Sequence, residues 1–182
     1  MRKFNGLRPQ DVVLLLKLVA QPSQPWLGKD LAQALHLSAS EISEALARCR
    51  FSRLLAADPR TLTVHRRALL DFLCFGLPYA FAVQPGAPAR GLATGASAPP
   101  LLQTFGAEPA YVWPGAVGSQ WGIAVEPLYP QAAAAAVQDE ELYALLALTD
   151  ALRLGRPREV SLARQLLEQQ LLAPPPAATV YA

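Results

Sequence analysis

Residues 31–46, with the sequence LAQALHLSASEISEAL, carry the strongest structural signal in the chain. Their apolar residues recur at helical spacing in two successive segments, with Leu31, Ala32 and Leu35 in the first and Ile42, Ala45 and Leu46 in the second. Between the segments, Ser38 and Glu41 form a capping-box pattern, in which each side chain can accept a bond from the other residue's backbone N–H. The stretch therefore predicts two short helices that pack together across a tight turn.

The neighbouring residues extend this pattern into an α+β chain that is mainly α. Apolar periodicity and helix-end residues predict helices over 9–21, 28–35, 38–52, 66–75 and 139–154, and one from Pro157 to the proline run at 174–176. Short β-rich stretches predict strands over 54–56, 61–64, 77–83, 111–113 and 122–125. Residues 84–100 are rich in Pro, Gly, Ala and Ser, which predicts a loop or hinge.

The order of the first elements is helix, short extended segment, helix, turn, helix, strand, turn, strand. In this order and in the pattern of residues 31–46, residues 9–75 resemble the winged helix-turn-helix, and look most like the MarR-type transcriptional regulators of bacteria. The resemblance implies that the third helix enters the major groove of DNA. It also implies that a β-wing, formed by strands 54–56 and 61–64, approaches the minor groove or the phosphates.

The same resemblance assigns candidate DNA contacts. The outward face of the third helix would carry Ser40, Ser43, Glu44, Ala47 and Arg48, and the wing tip would carry Arg60. Phosphate contacts are expected from the basic residues that flank the motif, which are Lys29, Arg48, Arg50, Arg53, Arg66 and Arg67. Each of these cations taken singly is also explained as ordinary solvated surface charge.

Two features depart from the family pattern. His36 stands where the turn usually has a glycine in the left-handed conformation, which histidine tolerates better than most residues. Glu41 and Glu44 lie on the expected reading helix, where carboxylates repel phosphates. The capping box explains Glu41, and Glu44 could accept a hydrogen bond from a cytosine amine.

Charge is distributed unevenly along the 182 residues. Residues 1–75 carry a formal charge of +5 and the remaining residues −3, within a net charge of +2. A basic N-terminal part followed by a mildly acidic part suits a nucleic-acid reader with a partner-facing region.

Composition argues against most catalytic chemistry. The chain has two cysteines and two histidines, in separate segments and without metal-ligand spacing, so no metal or other cofactor is expected. Cys49 is interpreted as a small buried apolar residue. Tyr111, Trp113, Trp121 and Tyr129 are interpreted as core residues. We therefore expect a protein that is not an enzyme.

The predicted organisation has three parts. Residues 1–76 form the winged helix-turn-helix, residues 77–172 a small α+β region that ends in two helices, and residues 173–182 a flexible tail. No apolar run is long enough to cross a membrane and the N-terminus lacks a secretory signal, so a cytoplasmic location is expected.

These expectations lead to two functional hypotheses. The first is a sequence-specific regulator, a repressor that occludes its operator on double-stranded DNA as a homodimer, with residues 77–172 contacting a partner protein, an effector or a second copy. The alternative is a winged helix that contacts only protein, such as an antitoxin-like or adaptor partner in a two-gene system.

Overall fold

The computed structural model describes residues 6–106 and 109–172, so the predicted tail at 173–182 lies outside the described residues. The chain folds as a mainly helical α+β structure. Its helices are α1 (Pro9–Ala20), α2 (Gly28–Ala34), α3 (Ala39–Phe51), α4 (Arg66–Phe75), α5 (Leu77–Ala80), α6 (Leu102–Phe105), α7 (Ala132–Ala136), α8 (Glu140–Leu154) and α9 (Pro157–Leu172). Its strands are β1 (Pro88–Ala93), β2 (Tyr111–Pro114) and β3 (Gln120–Ala124), with a short 3-10 helix at Gly95–Ser97.

Helix α1 lies at the centre of the molecule. All of its residues from Asp11 to Ala20 are buried, and it packs against α3 as well as α8. One continuous hydrophobic core extends from Val12 to Leu171. Residues on both sides of the boundary predicted at residue 76 therefore share one hydrophobic core.

A buried ion pair joins the end of α1 to the beginning of α8. Lys17 Nζ lies 2.7 Å from Asp139 Oδ2, and both side chains are almost fully buried. Asp139 is also the N-cap of α8, where its carboxylate accepts a bond from the Leu142 N–H at 3.1 Å. The Gln21 side-chain amide donates to the same carboxylate. The contact fixes the register between the two helices.

The three strands form a small sheet in which each strand pairs with the other two. β1 runs antiparallel to β2 and to β3, and β2 and β3 pair in parallel. A Cβ at Gly91 would collide with the carbonyl group of Trp113, so only glycine permits this approach of β1 to β2.

The region after residue 76 differs from the predictions in three places. The strand predicted over 77–83 is wrong, because Leu77–Ala80 is helical. The loop predicted over 84–100 is wrong in part, because Pro88–Ala93 forms β1. Helices α6 and α7 were not predicted. The predicted helices, by contrast, agree with the structure to within about a residue at their described ends.

Asp150, in α8, forms a buried polar hub beneath the sheet. Its carboxylate accepts bonds from Thr94 Oγ1 at 2.8 Å, Trp113 Nε1 at 2.6 Å and Arg153 Nη1 at 2.7 Å. Burial raises the pKa of Asp150, and the Arg153 charge and the hydrogen bonds oppose that rise. The hub attaches the end of β1 and the middle of β2 to α8.

The aromatic residues predicted to be core divide into two groups. Tyr111, Trp113 and Tyr129 are buried as predicted. Trp121 is 66 % exposed, so the prediction is wrong for this residue. Trp121 lies on β3 opposite Arg90, on a side of the small sheet that the described residues do not cover.

Candidate nucleic-acid interface

The candidate interface is built on α2, α3 and the turn between them. The capping box predicted at the start of α3 is confirmed, because the Ser38 hydroxyl accepts from the Glu41 N–H at 3.2 Å and the Glu41 carboxylate accepts from the Ser38 N–H at 2.9 Å. The bond from the Ser38 N–H, and a second that the Ser38 hydroxyl donates to the same carboxylate at 2.7 Å, lower the pKa of Glu41. His36, in the turn, has a φ of 51°, the left-handed conformation expected there.

Helix α3 has two different faces. Its inner residues Ile42, Ala45 and Cys49 are buried against the core. Burial raises the pKa of the Cys49 thiol to about 12, so Cys49 is an apolar core residue and not a nucleophile. Four residues that were predicted to lie on the outward face of this helix are exposed, and they are Ser40, Ser43, Glu44 and Ala47. This outer face is the helix surface available to a partner.

Arg48 requires a correction, because it points into the protein. Its Nε and Nη2 atoms each lie 2.7 Å from a carboxylate oxygen of Asp11, a fully buried residue of α1. The Asp11 carboxylate raises the pKa of Arg48. Only 8 % of the Arg48 side chain is exposed. We therefore remove Arg48 from the candidate DNA contacts and assign it to the attachment of α3 to α1.

Arg48 also contacts Glu44, an acidic residue of the outer face of α3. Arg48 Nη1 lies 3.4 Å from Glu44 Oε2, one helical turn away. The guanidinium therefore stands between a buried and an exposed carboxylate, and it offsets part of the charge of Glu44.

Residues 54–64 form a hairpin-like segment that one isolated β-bridge holds together, hereafter called the ribbon. Leu55 and Val64 are bridged in the antiparallel sense, and two backbone hydrogen bonds flank this bridge. The pairing is shorter than the two strands predicted over 54–56 and 61–64. At the turn of the ribbon, Arg60 has a side chain that is 90 % exposed, with Asp58 3.5 Å away.

Arg50 connects α3 to the ribbon. Its Nη2 donates to the carbonyl oxygens of Pro59 at 3.3 Å and Thr61 at 3.2 Å. The Arg50 Nε atom is buried and makes no hydrogen bond within the described chain. Arg50 therefore positions the ribbon on α3, a role that differs from the phosphate contact predicted for it.

The remaining predicted cations lie on α2, on α4 and in the turn after α3, where Arg53 is exposed with a φ of 59°. Lys29 is exposed in the first turn of α2. Arg66, at the start of α4, donates to the Leu171 carbonyl oxygen at 3.1 Å. Arg67 is 68 % exposed and pairs with Asp71 and Glu168. Lys29, Arg53 and Arg60 are thus the most available predicted cations, while Arg66 and Arg67 also hold α4 against α9.

Sequence reasoning missed Asp11 as the partner of Arg48, although one signal for it was present. Arg48 follows Ala45 by three residues, which places it beside the inward face of α3. The two partners are separated by 37 positions in the sequence, so their contact could not be identified without the tertiary structure. Sequence reasoning also missed Phe51, which is 68 % exposed at the end of α3.

Three observations complete the description of the chain. Within residues 6–106 and 109–172, the His, Cys, Asp and Glu side chains form no group that could hold a metal ion. No helix in that same part is long and apolar enough to span a membrane. Comparisons with models of known families, with curated proteins and with solved structures gave no match.

Proposed function

We propose that this protein is a winged helix-turn-helix transcriptional regulator that binds double-stranded DNA through α3 and the ribbon. The observation that carries the proposal is the outer face of α3, whose small residues Ser40, Ser43 and Ala47 are exposed at helical spacing. Small side chains allow a helix to approach base edges closely. Hydroxyls can bond either base-edge donors or acceptors, and an alanine methyl can contact thymine.

The charges around this face support the proposal. Lys29 at the start of α2 and Arg60 at the ribbon turn are exposed cations. The two acids of α3 have partners within the protein, since Glu41 bonds Ser38 and Glu44 lies beside Arg48. The bonds from the neutral Ser38 leave the negative charge of Glu41 in place, so of these two contacts it is the one between Arg48 and Glu44 that reduces the repulsion of an approaching phosphate.

The mechanism that follows is occlusion of an operator, with no chemical step. Affinity would come from Lys29 and Arg60 on phosphates, and specificity from Ser43 and its neighbours in the major groove. Two copies on adjacent half-sites would give a symmetric complex, as in other helix-turn-helix dimers.

The first experiment measures binding to DNA from immediately upstream of the protein's own gene at several salt concentrations, beside an unrelated duplex of equal length. Specific binding that weakens steeply as salt rises is the expected result, because bound cations displace counterions from DNA. Weak binding that is equal on both duplexes would contradict the proposal.

A matched pair of variants tests the role of α3. Ser43→Glu places a carboxylate on the outer face of α3, whereas Ser161→Glu places one on the exposed surface of α9. We expect the first variant to lose affinity for the upstream duplex by at least about tenfold and the second to bind normally. Equal affinities of the two variants would remove α3 from the interface.

The second candidate function is a winged helix that contacts only protein. Phe51 favours it, because a phenylalanine that is 68 % exposed at the end of α3 suits an apolar protein contact better than a phosphate. Two results together would favour this function over the first. DNA binding would be non-specific and insensitive to salt, and the protein would form a stable heterocomplex that Phe51→Ser disrupts.

A further inference from the structure

A cleft of about 520 Å³ separates the ribbon from the loop that joins α1 to α2. Its walls combine apolar side chains, among them Trp26, Leu27 and Val64, with polar ones such as Gln21 and Thr63. The charged residues among its described lining are Arg60 and Arg66, and none of the described lining residues is acidic. The cleft therefore combines apolar side chains with two cationic ones, of which Arg60 lies 3.5 Å from Asp58, a residue outside the lining.

One wall of this cleft is an open strand edge. In the ribbon, Ala56 N–H donates to Thr63 O and His65 N–H donates to Leu54 O, both at 2.9 Å. Val64 is consequently in a non-hydrogen-bonded pair, and its own N–H and C=O point away from the partner strand. The period of two along a strand gives Leu62 the same orientation.

The backbone groups of this edge have no partner in the described chain. No hydrogen bond between described residues reaches the N–H or C=O of Leu62 or Val64. The facing loop makes its hydrogen bonds elsewhere: the Trp26 N–H donates to Gln24 O and the Leu27 N–H donates to the Asp30 carboxylate. The ribbon thus presents an unpaired edge to a cleft with apolar and cationic side chains.

We infer that this cleft binds an extended, acidic segment of a partner protein, which adds to the ribbon as a strand along Leu62–Val64. Strand addition supplies the missing hydrogen bonds through the peptide backbone, and pockets beside the edge select alternate side chains. Apolar residues of the segment would contact Trp26 and the cleft walls.

The two arginines set the chemistry of the segment. Arg60 lies in the turn before residues 62–64 and Arg66 is the first residue of α4 after them, so the six-residue separation spans at most about 20 Å. Asp58, the ion-pair partner of Arg60, is half exposed, and such surface pairs are easily replaced. Arg66 uses only Nη1 for Leu171, so other guanidinium N–H groups can donate. Carboxylates near both ends of the segment fit this arrangement.

A blocked heptapeptide, whose two end residues share a face and are six residues apart, tests the inference on the whole chain. It carries a glutamate at each end and alternating valine and threonine between them, and it is titrated into the ¹⁵N-labelled protein. We expect chemical-shift changes concentrated at the amides of Leu62 and Val64 and at the Trp26 indole, with a dissociation constant near or below about 1 mM. No such changes at concentrations up to about 5 mM would overturn the inference.

Modified peptides separate strand addition from general adhesion. N-methylation of the alternate amides that face the ribbon should weaken binding by at least about tenfold, because it removes hydrogen-bond donors while leaving the side chains and the protein unchanged. Replacement of both glutamates by lysine should weaken binding similarly. Unchanged affinity of the N-methylated peptide would refute strand addition.

Two protein variants give the matching control. Arg66→Gln should weaken binding of the glutamate peptide, and Arg158→Gln, which changes an exposed arginine of α9 outside the cleft lining, should not. If the two variants weakened peptide binding equally, the interaction would be a non-specific charge attraction. That result would also refute the inference. The experiment contains no DNA, so its result is independent of the proposed regulator function.

Discussion

The N-terminal and C-terminal halves of the chain each bury an aspartate, but they surround it differently. Asp11 is bound in bidentate fashion by the single side chain of Arg48, with both distances 2.7 Å. Asp150 is bound by three side chains on different elements, which are Thr94, Trp113 and Arg153. The first arrangement joins two helices that already share an apolar contact. The second attaches a small sheet to a helix.

This difference shows where each half obtains its order. In residues 9–75, amphipathic helices bury continuous apolar faces, and the polar pair adds orientation to packing that exists without it. In residues 77–172, the sheet has three short strands, and its position depends on the bonds to Asp150. Replacing Asp150 should therefore lower the free energy of unfolding. The stability lost by breaking the Asp11 pair, in contrast, should be largely recovered when both partners are replaced by apolar residues.

Asp150→Asn is the substitution with the largest expected effect. It leaves the buried Arg153 without a counter-ion and presents an amide N–H₂ to donors, so we expect a loss of about 3–5 kcal/mol in the free energy of unfolding. Urea denaturation followed by circular dichroism measures it. Asp58→Asn, at an exposed site, is the control and should stay within about 0.5 kcal/mol of the wild type. A loss at Asp150 no larger than the control's would contradict the role of the hub.

Arg48→Met should be the next most damaging change, and a second substitution should reverse much of it. The single variant leaves the Asp11 carboxylate buried without its partner, which is expected to cost about 3 kcal/mol. In the double variant Arg48→Met, Asp11→Leu, no buried charge remains at this pair, and we expect more than half of the lost stability to return. A double-mutant cycle measures the coupling. If the double variant were as unstable as the sum of the singles, the pair would be as indispensable as the Asp150 hub.

Ser38→Ala should produce the smallest effect, confined to the start of α3. The bond from the backbone N–H of residue 38 is the larger cause of the lowered pKa of Glu41 and remains in the variant, whereas the hydroxyl bond is lost, so the substitution should raise that pKa part of the way toward its ordinary value. A lowered pKa in the fold contributes stability above the ordinary pKa, and the contribution is lost as the pH falls through the folded value. In the variant, the contribution of Glu41 to the free energy of unfolding should therefore change less as the pH falls. A carboxyl-detected NMR titration of Glu41 measures the shift, with Ser40→Ala as a control that should leave it unchanged.

The N-terminal elements could be predicted because their signals are local. The apolar period of 3.6 residues identifies α1 to α4. The Ser38 and Glu41 pattern marks the start of α3, and the position of His36 in the turn anticipates its positive φ. What could not be predicted is that Arg48 turns inward, since its partner belongs to another helix.

Two strands of the C-terminal sheet could be predicted, since the predictions over 111–113 and 122–125 overlap β2 and β3, but β1 could not, because its determinants are not local. The β1 sequence PARGLA has no β-branched or aromatic residue and looks like a loop. It becomes a strand because it pairs with residues of β2 and β3 that lie 19 to 35 positions away. Trp121 looks like a core residue by type, but it lies on an uncovered side of the sheet. For the candidate interface, the sequence indicated the outer residues of α3 but not which arginines are committed to internal contacts.

The burial of α1 on all sides has a consequence for how the protein can be divided. A fragment that ends at residue 76 would retain α1 but lose α8, and α1 would then expose to water the apolar surface that now packs against α8. Loss of α1 would similarly uncover α8. We therefore expect that neither half folds on its own and that the whole chain melts in one cooperative calorimetric transition in place of two.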